Sequence, residues 1–131
     1  MWSVGCIMAE LWRRTPLFKG RTEQSQLGLI HHFCGAICRE NWPAVDQLAL
    51  FNNLTFPDKP LRVVKERMKN WIQDELGLDL LDKLLILDPD QRIIAKDAIS
   101  HAFFSTDPMP GQLDKILSTL KMSNFEFTST D

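Results

Sequence analysis

Cysteine is scarce in these 131 residues, and the three present, Cys6, Cys34 and Cys38, are an odd number. They do not look like a disulfide framework, and a reducing compartment, nuclear or cytoplasmic, is the expected setting. Long hydrophobic runs are lacking too. The longest stretch free of Asp, Glu, Lys and Arg, from Gln24 to Cys38, carries two glutamines, a serine and two histidines. No membrane span is expected from it. Neither sign of charge dominates: a net charge of -2 and a pI near 5.9 give no reason to expect direct nucleic-acid binding or membrane attraction. The opening, Met1-Trp2-Ser3-Val4-Gly5-Cys6, has no basic region and no small-residue cleavage pattern. It reads as neither a signal nor a transit peptide. Internal repeats and low-complexity segments are missing, and no segment alternates cleanly enough for a strand.

Helical patterns fill the space that strands leave. Trp2 to Trp12 is apolar almost all round, with only Ser3 and Glu10 polar. Such a helix is expected to be covered on all sides. Arg13 and Arg14 suit its C-terminus, and Pro16 to Gly20 forms a loop. Thr22 is a plausible N-cap, with Glu23 in the first turn and Gly35 as the stop. Glu40 to Leu50 holds at most one short helix, interrupted by Pro43, and Phe51 to Pro60 reads as a loop. Leu61, Val64, Met68, Trp71 and Ile72 fall on one helical face. Leu76 to Leu87 is a leucine-rich helix ended by Asp88-Pro89, because the residue before a proline avoids helical geometry. Lys96 to His101 is expected to be helical and Phe103-Phe104 to be buried. Leu113, Ile116, Leu117 and Leu120 form a last amphipathic stripe, before a tail that is polar apart from Phe125 and Phe127. The expected fold is all-α, with about six or seven helices and no sheet.

Two clusters invite a functional reading. His31, His32, Cys34 and Cys38 lie close in sequence, but their spacing fits no common zinc pattern. Structural thiols and helix-end histidines are the expectation, and no metal ligand is assigned. Lys59, Arg62, Lys65, Arg67 and Lys69 form a basic stretch, for which a solvated helix face is the default and an acidic partner the alternative.

Three stretches resemble the eukaryotic protein kinase family. Trp2-Ser3-x-Gly5-Cys6-Ile7, with Glu10-Leu11, is similar to the central helix of the large lobe. Pro16-Leu17-Phe18-x-Gly20, with Glu23-Gln24, Gln26-Leu27 and Ile30, resembles the next loop and helix in the branch holding cyclin-dependent and MAP kinases. Leu84-Leu85-x-Leu87-Asp88-Pro89-x-x-Arg92-Ile93, then Ala95, Ala98, His101 and Phe103-Phe104, is similar to the closing D-P-x-x-R element and last helix. Asn41-Trp42-Pro43 and Asp46 suit the insert of cyclin-dependent kinases, and Phe104 to Pro110 looks most like the transcription-elongation type.

The resemblance implies the C-terminal part of a protein kinase domain over residues 1–104, from the central helix onward. Residues 105–131 would be an extension with one amphipathic helix. It marks Trp2, Gly5, Asp88, Pro89 and Arg92 as family structural positions. Gly5 implies close approach by a neighbour, since glycine inside a helix costs about 1 kcal/mol relative to alanine. Arg92 resembles a buried arginine that pairs with the glutamate of an upstream A-P-E motif. Here it must find another partner or become solvated. Ile94 stands where Ser or Thr often opens the last helix, and Ala102 replaces a common proline.

The family moves the γ-phosphate of ATP, with magnesium, to protein Ser or Thr. A cyclin activates it, and the RNA polymerase II tail is a substrate of the transcription-related type. The sequence has no G-x-G-x-x-G loop, since no two of the six glycines are two residues apart, and no H-R-D, D-F-G or A-P-E motif. No catalytic, cofactor-binding or metal residue is therefore assigned, and catalysis by this chain alone is not expected. The abrupt apolar start points to a partial record of a whole kinase. The alternatives are a short lobe product acting as a non-catalytic binding module, or a non-functional remnant.

Overall fold

A computed structural model describes residues 1–107, 109, 111 and 113–119. It is helical, with no strand among the described residues. Six α-helices follow in order: α1 (Trp2–Arg13), α2 (Glu23–Cys34), α3 (Val64–Met68), α4 (Glu75–Leu84), α5 (Ala95–Ile99) and α6 (Leu113–Leu117). Three single 3-10 turns, Val45–Gln47, Phe51–Asn53 and Ala102–Ser105, fill the connections. None of these helices is long and apolar enough to cross a membrane.

Helix α2 follows its local chemistry. The Thr22 hydroxyl accepts from the Ser25 N–H at 3.1 Å and Ser25 Oγ accepts from the Thr22 N–H at 2.9 Å, a reciprocal cap. Gly35, at φ 98°, ends the helix in a conformation that favours glycine. In α4 the Asp74 carboxylate caps the Leu76 and Gly77 N–H groups, both at 3.1 Å. Its apolar face, with Leu78, Leu81 and Leu84, is buried against α1 and α3. Ala9, Phe33, Val64, Met68 and Ile72 complete the main core.

Several expectations are corrected. Helix α1 is not covered on all sides: Gly5 and Ala9 are buried, while Val4, Ile7 and Leu11 are 50%, 59% and 71% exposed. Those three, at i, i+3 and i+7, form one outer stripe, because α4 covers only the opposite face. Leu61 does not join the helical face and is 84% exposed. The chain there is irregular, with the Ala36 N–H donating to the Pro60 carbonyl and the Val63 N–H to the Phe33 carbonyl. Helix α3 starts only at Val64, so Val64, Met68 and Ile72 keep the buried positions and Trp71 stays half exposed.

The leucine-rich helix ends at Leu84 rather than Leu87, although Leu85 and Leu87 remain buried. Phe104 is exposed, while Phe103 packs edge-on against Trp12 at 6.1 Å. Ile94 does open α5 without a side-chain cap. Leu113, Ile116 and Leu117 form α6 and are exposed. Leu120, Phe125 and Phe127 lie outside the described residues.

Candidate functional site

The three motif-bearing stretches meet at one side chain. The Trp2 ring stacks on Phe18 at 6.3 Å with planes 8° apart, and the Arg92 guanidinium lies over it at 5.1 Å. Phe18 in turn meets Phe33 of α2 edge-on at 5.6 Å. The start of α1, the loop after it and the turn after α4 are thus tied through aromatic and cation–π contacts. Gly5 sits one helical turn on. A Cβ there would lie 2.9 Å from the Cβ of Leu84 and 3.0 Å from Cδ2 of Leu85. Close packing of α4 on α1 requires glycine at that position.

Asp88 and Arg92 shape the adjoining turn. The Asp88 carbonyl accepts from the Gln91 and Arg92 N–H groups at 3.2 and 3.1 Å. Its buried carboxylate accepts from the Asp90 N–H at 3.0 Å. Pro89 is exposed and supplies a fixed φ that starts the turn. Arg92 then reaches back. Its Nε donates to the Ile86 carbonyl at 2.8 Å and its Nη2 to the Leu87 carbonyl at 2.9 Å. No carboxylate lies within ion-pair distance of it among the described residues. Burial pushes the Arg92 pKa below the usual arginine value, and the charge of Asp88 opposes that shift. Burial also raises the Cys6 thiol, against the pull of Arg92, and pushes Cys34 up to about 12. Neither thiol is an activated nucleophile.

A second arginine shares this corner, and its role was not legible from the basic stretch that holds it. Arg62 Nη1 donates to the carbonyls of Cys34 (3.0 Å) and Leu85 (2.8 Å), and Nη2 to that of Asp82 (2.6 Å). Nε donates to the Asp82 carboxylate at 2.8 Å. The two arginines serve the carbonyls of the turn that follows α4, at Leu85, Ile86 and Leu87, and Arg62 adds a second donor to the Asp82 carbonyl. The basic stretch is therefore not a uniformly solvated face. Lys59 pairs with Glu40 at 2.9 Å, and Lys65 with Asp79 at 3.0 Å. Asp79 also takes Lys83 at 2.6 Å and His101 at 3.1 Å. Hydrogen bonds from Lys83 and Lys65 hold its carboxyl well below the usual range, against a smaller opposing effect of burial.

In the histidine–cysteine cluster, His31 is spent on structure. Buried His31 accepts from the Ile37 N–H through Nδ1 at 3.1 Å, so Nε2 carries the proton and donates to the Asp58 carbonyl at 3.1 Å. Its ring stacks on Phe56 at 4.3 Å. No group of three or more possible metal-ligating side chains comes together among the described residues.

Comparison with known proteins places this geometry. The family profile described as "Protein kinase domain" matches residues 1–104. The chain is 51% identical over 127 residues to cyclin-dependent kinase 9 of Xenopus tropicalis, covering 97% of this chain and 34% of that protein. It is 50% identical to cyclin-dependent kinase 9 of Homo sapiens with the same coverage. The chain spans about a third of the length of these curated relatives. Among solved structures, the yeast RNA Pol II CTD kinase CTDK-1 complex superposes with a TM-score of 0.80 at 26% identity. That match covers 86% of this chain and 38% of the other. The CAK complex of Chaetomium thermophilum bound to ATP-gamma-S gives 0.75 at 34% identity, covering 85% and 35%.

Proposed function

Because the chain belongs to the protein kinase domain family, we propose that it is the scaffold end of the large lobe of a transcription-related, cyclin-dependent Ser/Thr kinase. In this reading residues 1–104 close the kinase domain and residues 105–131 extend beyond it. The whole protein moves the ATP γ-phosphate to Ser or Thr of a transcription protein such as the RNA polymerase II tail, with a cyclin as activator. The setting is nuclear or cytoplasmic, and a transcription substrate favours the nucleus. These residues hold the lobe together; the base, the metal ligands and the nucleotide cradle belong to other parts of the kinase domain. With no glycine-rich phosphate loop in the sequence, the residues present do not fit an ATP–magnesium site, and no catalytic step is routed through them.

The observation that carries this reading is the unpaired Arg92. It is held by two carbonyls and an indole face, partly desolvated, with no carboxylate among the described residues to neutralise it. In this reading the guanidinium is one half of an ion pair, and the kinase resemblance supplies the other half as the glutamate of an upstream A-P-E motif.

The test begins with the intact mass of the endogenous protein carrying a peptide around Asn41-Trp42-Pro43. A mass well above 15.1 kDa, with cyclin-stimulated phosphorylation of a polymerase-tail peptide, is the expected result. In that protein Arg92→Met should cost about 3–5 kcal/mol of stability, the typical cost of breaking a buried ion pair. A mass near 15.1 kDa with no nucleotide binding would overturn the kinase reading in favour of a non-catalytic binding module.

A further inference from the structure

Charge pairing in this molecule is uneven. Lys59, Arg62, Lys65 and Lys83 all hold carboxylates. Arg13, Arg14, Lys19 and Arg21, at and after the end of α1, hold none among the described residues, nor do Arg67 and Lys69 around the end of α3. The chain as a whole carries a net charge of -2, so this grouping runs against its overall sign.

Two members of that group, Arg13 and Arg67, line a pocket of about 390 Å³ between the end of α1, the following loop, α2 and the end of α3. Arg13, Arg67, His32 and Asn70 line it, with Phe18 and Trp71 among its apolar walls. No carboxylate lines it. Asp58, which comes to His32 at 3.6 Å, is also engaged by His31.

Arg13 is pre-positioned. Its guanidinium lies over the Trp71 ring at 5.1 Å, and Nη1 donates to the Leu17 carbonyl at 3.3 Å. Its Nε is buried without any partner, so the fork keeps unused donors and a partly desolvated charge. Guanidinium forks of this kind recognise carboxylates bidentately and gain strength where water is thin.

We propose that this pocket binds an acidic segment of a partner protein, with a Glu or Asp carboxylate on Arg13 and Arg67 and an adjacent apolar side chain against Phe18 and Trp71. The observations favour a peptide over a nucleic acid. The apolar share of the walls suits a side chain. Arg13 already covers one face of Trp71, which removes that face as a base-stacking platform.

The test uses the longest natural protein that carries these residues. The probe is a dye-labelled decapeptide of glutamates around one phenylalanine, with a glutamine counterpart and a single-stranded DNA decamer as comparisons. The acidic peptide is expected to bind, and the glutamine peptide to bind at least roughly tenfold more weakly, as loss of a charge-assisted contact implies. Arg13→Gln with Arg67→Gln should remove the difference, while Lys96→Gln, remote in sequence from the pocket, should leave it intact. If the double variant fails to fold, the Arg13 Nε–Hε resonance of the unmodified protein decides. It should move on titration with the acidic peptide and stay still with the glutamine peptide. Equal binding of both peptides, an unmoved resonance, or DNA binding stronger than peptide binding with the same sensitivity to the variants, would each overturn the proposal.

Discussion

Arg62 and Arg92 sit on either side of the stretch that ends α4 and solve the same problem differently. Both donate to carbonyls at and just after the helix end, Arg62 to those of Asp82 and Leu85 and Arg92 to those of Ile86 and Leu87. Arg62 closes its charge on the Asp82 carboxylate, inside these residues. Arg92 closes on the face of Trp2, which is an attraction but not a neutralisation. The difference teaches what each corner is for. The Arg62 corner is self-sufficient and ties the segment before α3 to the ends of α2 and α4. The Arg92 corner leaves its guanidinium without a carboxylate in ion-pair distance among the described residues.

The largest effect that would sharpen this comparison is expected from Arg62→Met. It strips three carbonyls and leaves Asp82 without its partner, for a loss of about 3 kcal/mol in urea unfolding followed by tryptophan fluorescence. Arg62→Lys should restore less than half of that, because one ammonium cannot serve carbonyl and carboxylate acceptors in fork geometry. In the 131 residues alone, Arg92→Met should cost only about 1 kcal/mol, since relief of an unpaired charge offsets the two lost hydrogen bonds. Equal losses for the two methionine variants would break the comparison.

Gly5→Ala bears on the packing that sets Arg92 beside Trp2. Overpacking against Leu84 costs about 1–3 kcal/mol, and the better helix propensity of alanine returns about 1 kcal/mol. A net loss near 1 kcal/mol is expected from the same denaturation measurement.

The smallest effect is one of pH. Lys83, Lys65 and His101 depress the Asp79 carboxyl below its unfolded value of about 3.9. The stability it adds is therefore fully present above that pH and is lost as pH falls toward the folded value. Asp79→Asn should flatten the acid limb of the stability profile below pH of about 4, read by thermal unfolding across a pH series. An unchanged limb would mean that the charges around Asp79 do not stabilise the fold.

Much of the scaffold was legible because its signals are local. Thr22 and Gly35 mark the ends of α2 through side-chain capping and backbone freedom, which need only neighbouring residues. The apolar spacing of Val64, Met68 and Ile72 likewise reports burial directly. Leu61 and Phe104 misled because hydrophobicity says that a residue can be buried and not whether a neighbour arrives to bury it. Asp74 carried a readable cap signal that the leucine pattern behind it obscured. Arg62 carried none, since its partners lie 20 to 28 residues away in sequence.

By itself the sequence determined the helical class, the ends of α2 and the kinase-like stretches at Trp2, Pro16 and Asp88, because spacing, capping and turn chemistry act over a few residues. Only the tertiary structure decided that these stretches converge on Trp2, that among the described residues Arg62 has a carboxylate partner while Arg92 has none, and that the outer stripe of α1 stays open. Those outcomes depend on which distant groups come within bonding range. That is a property of packing, in which one carboxylate placed or missing changes the role of an arginine.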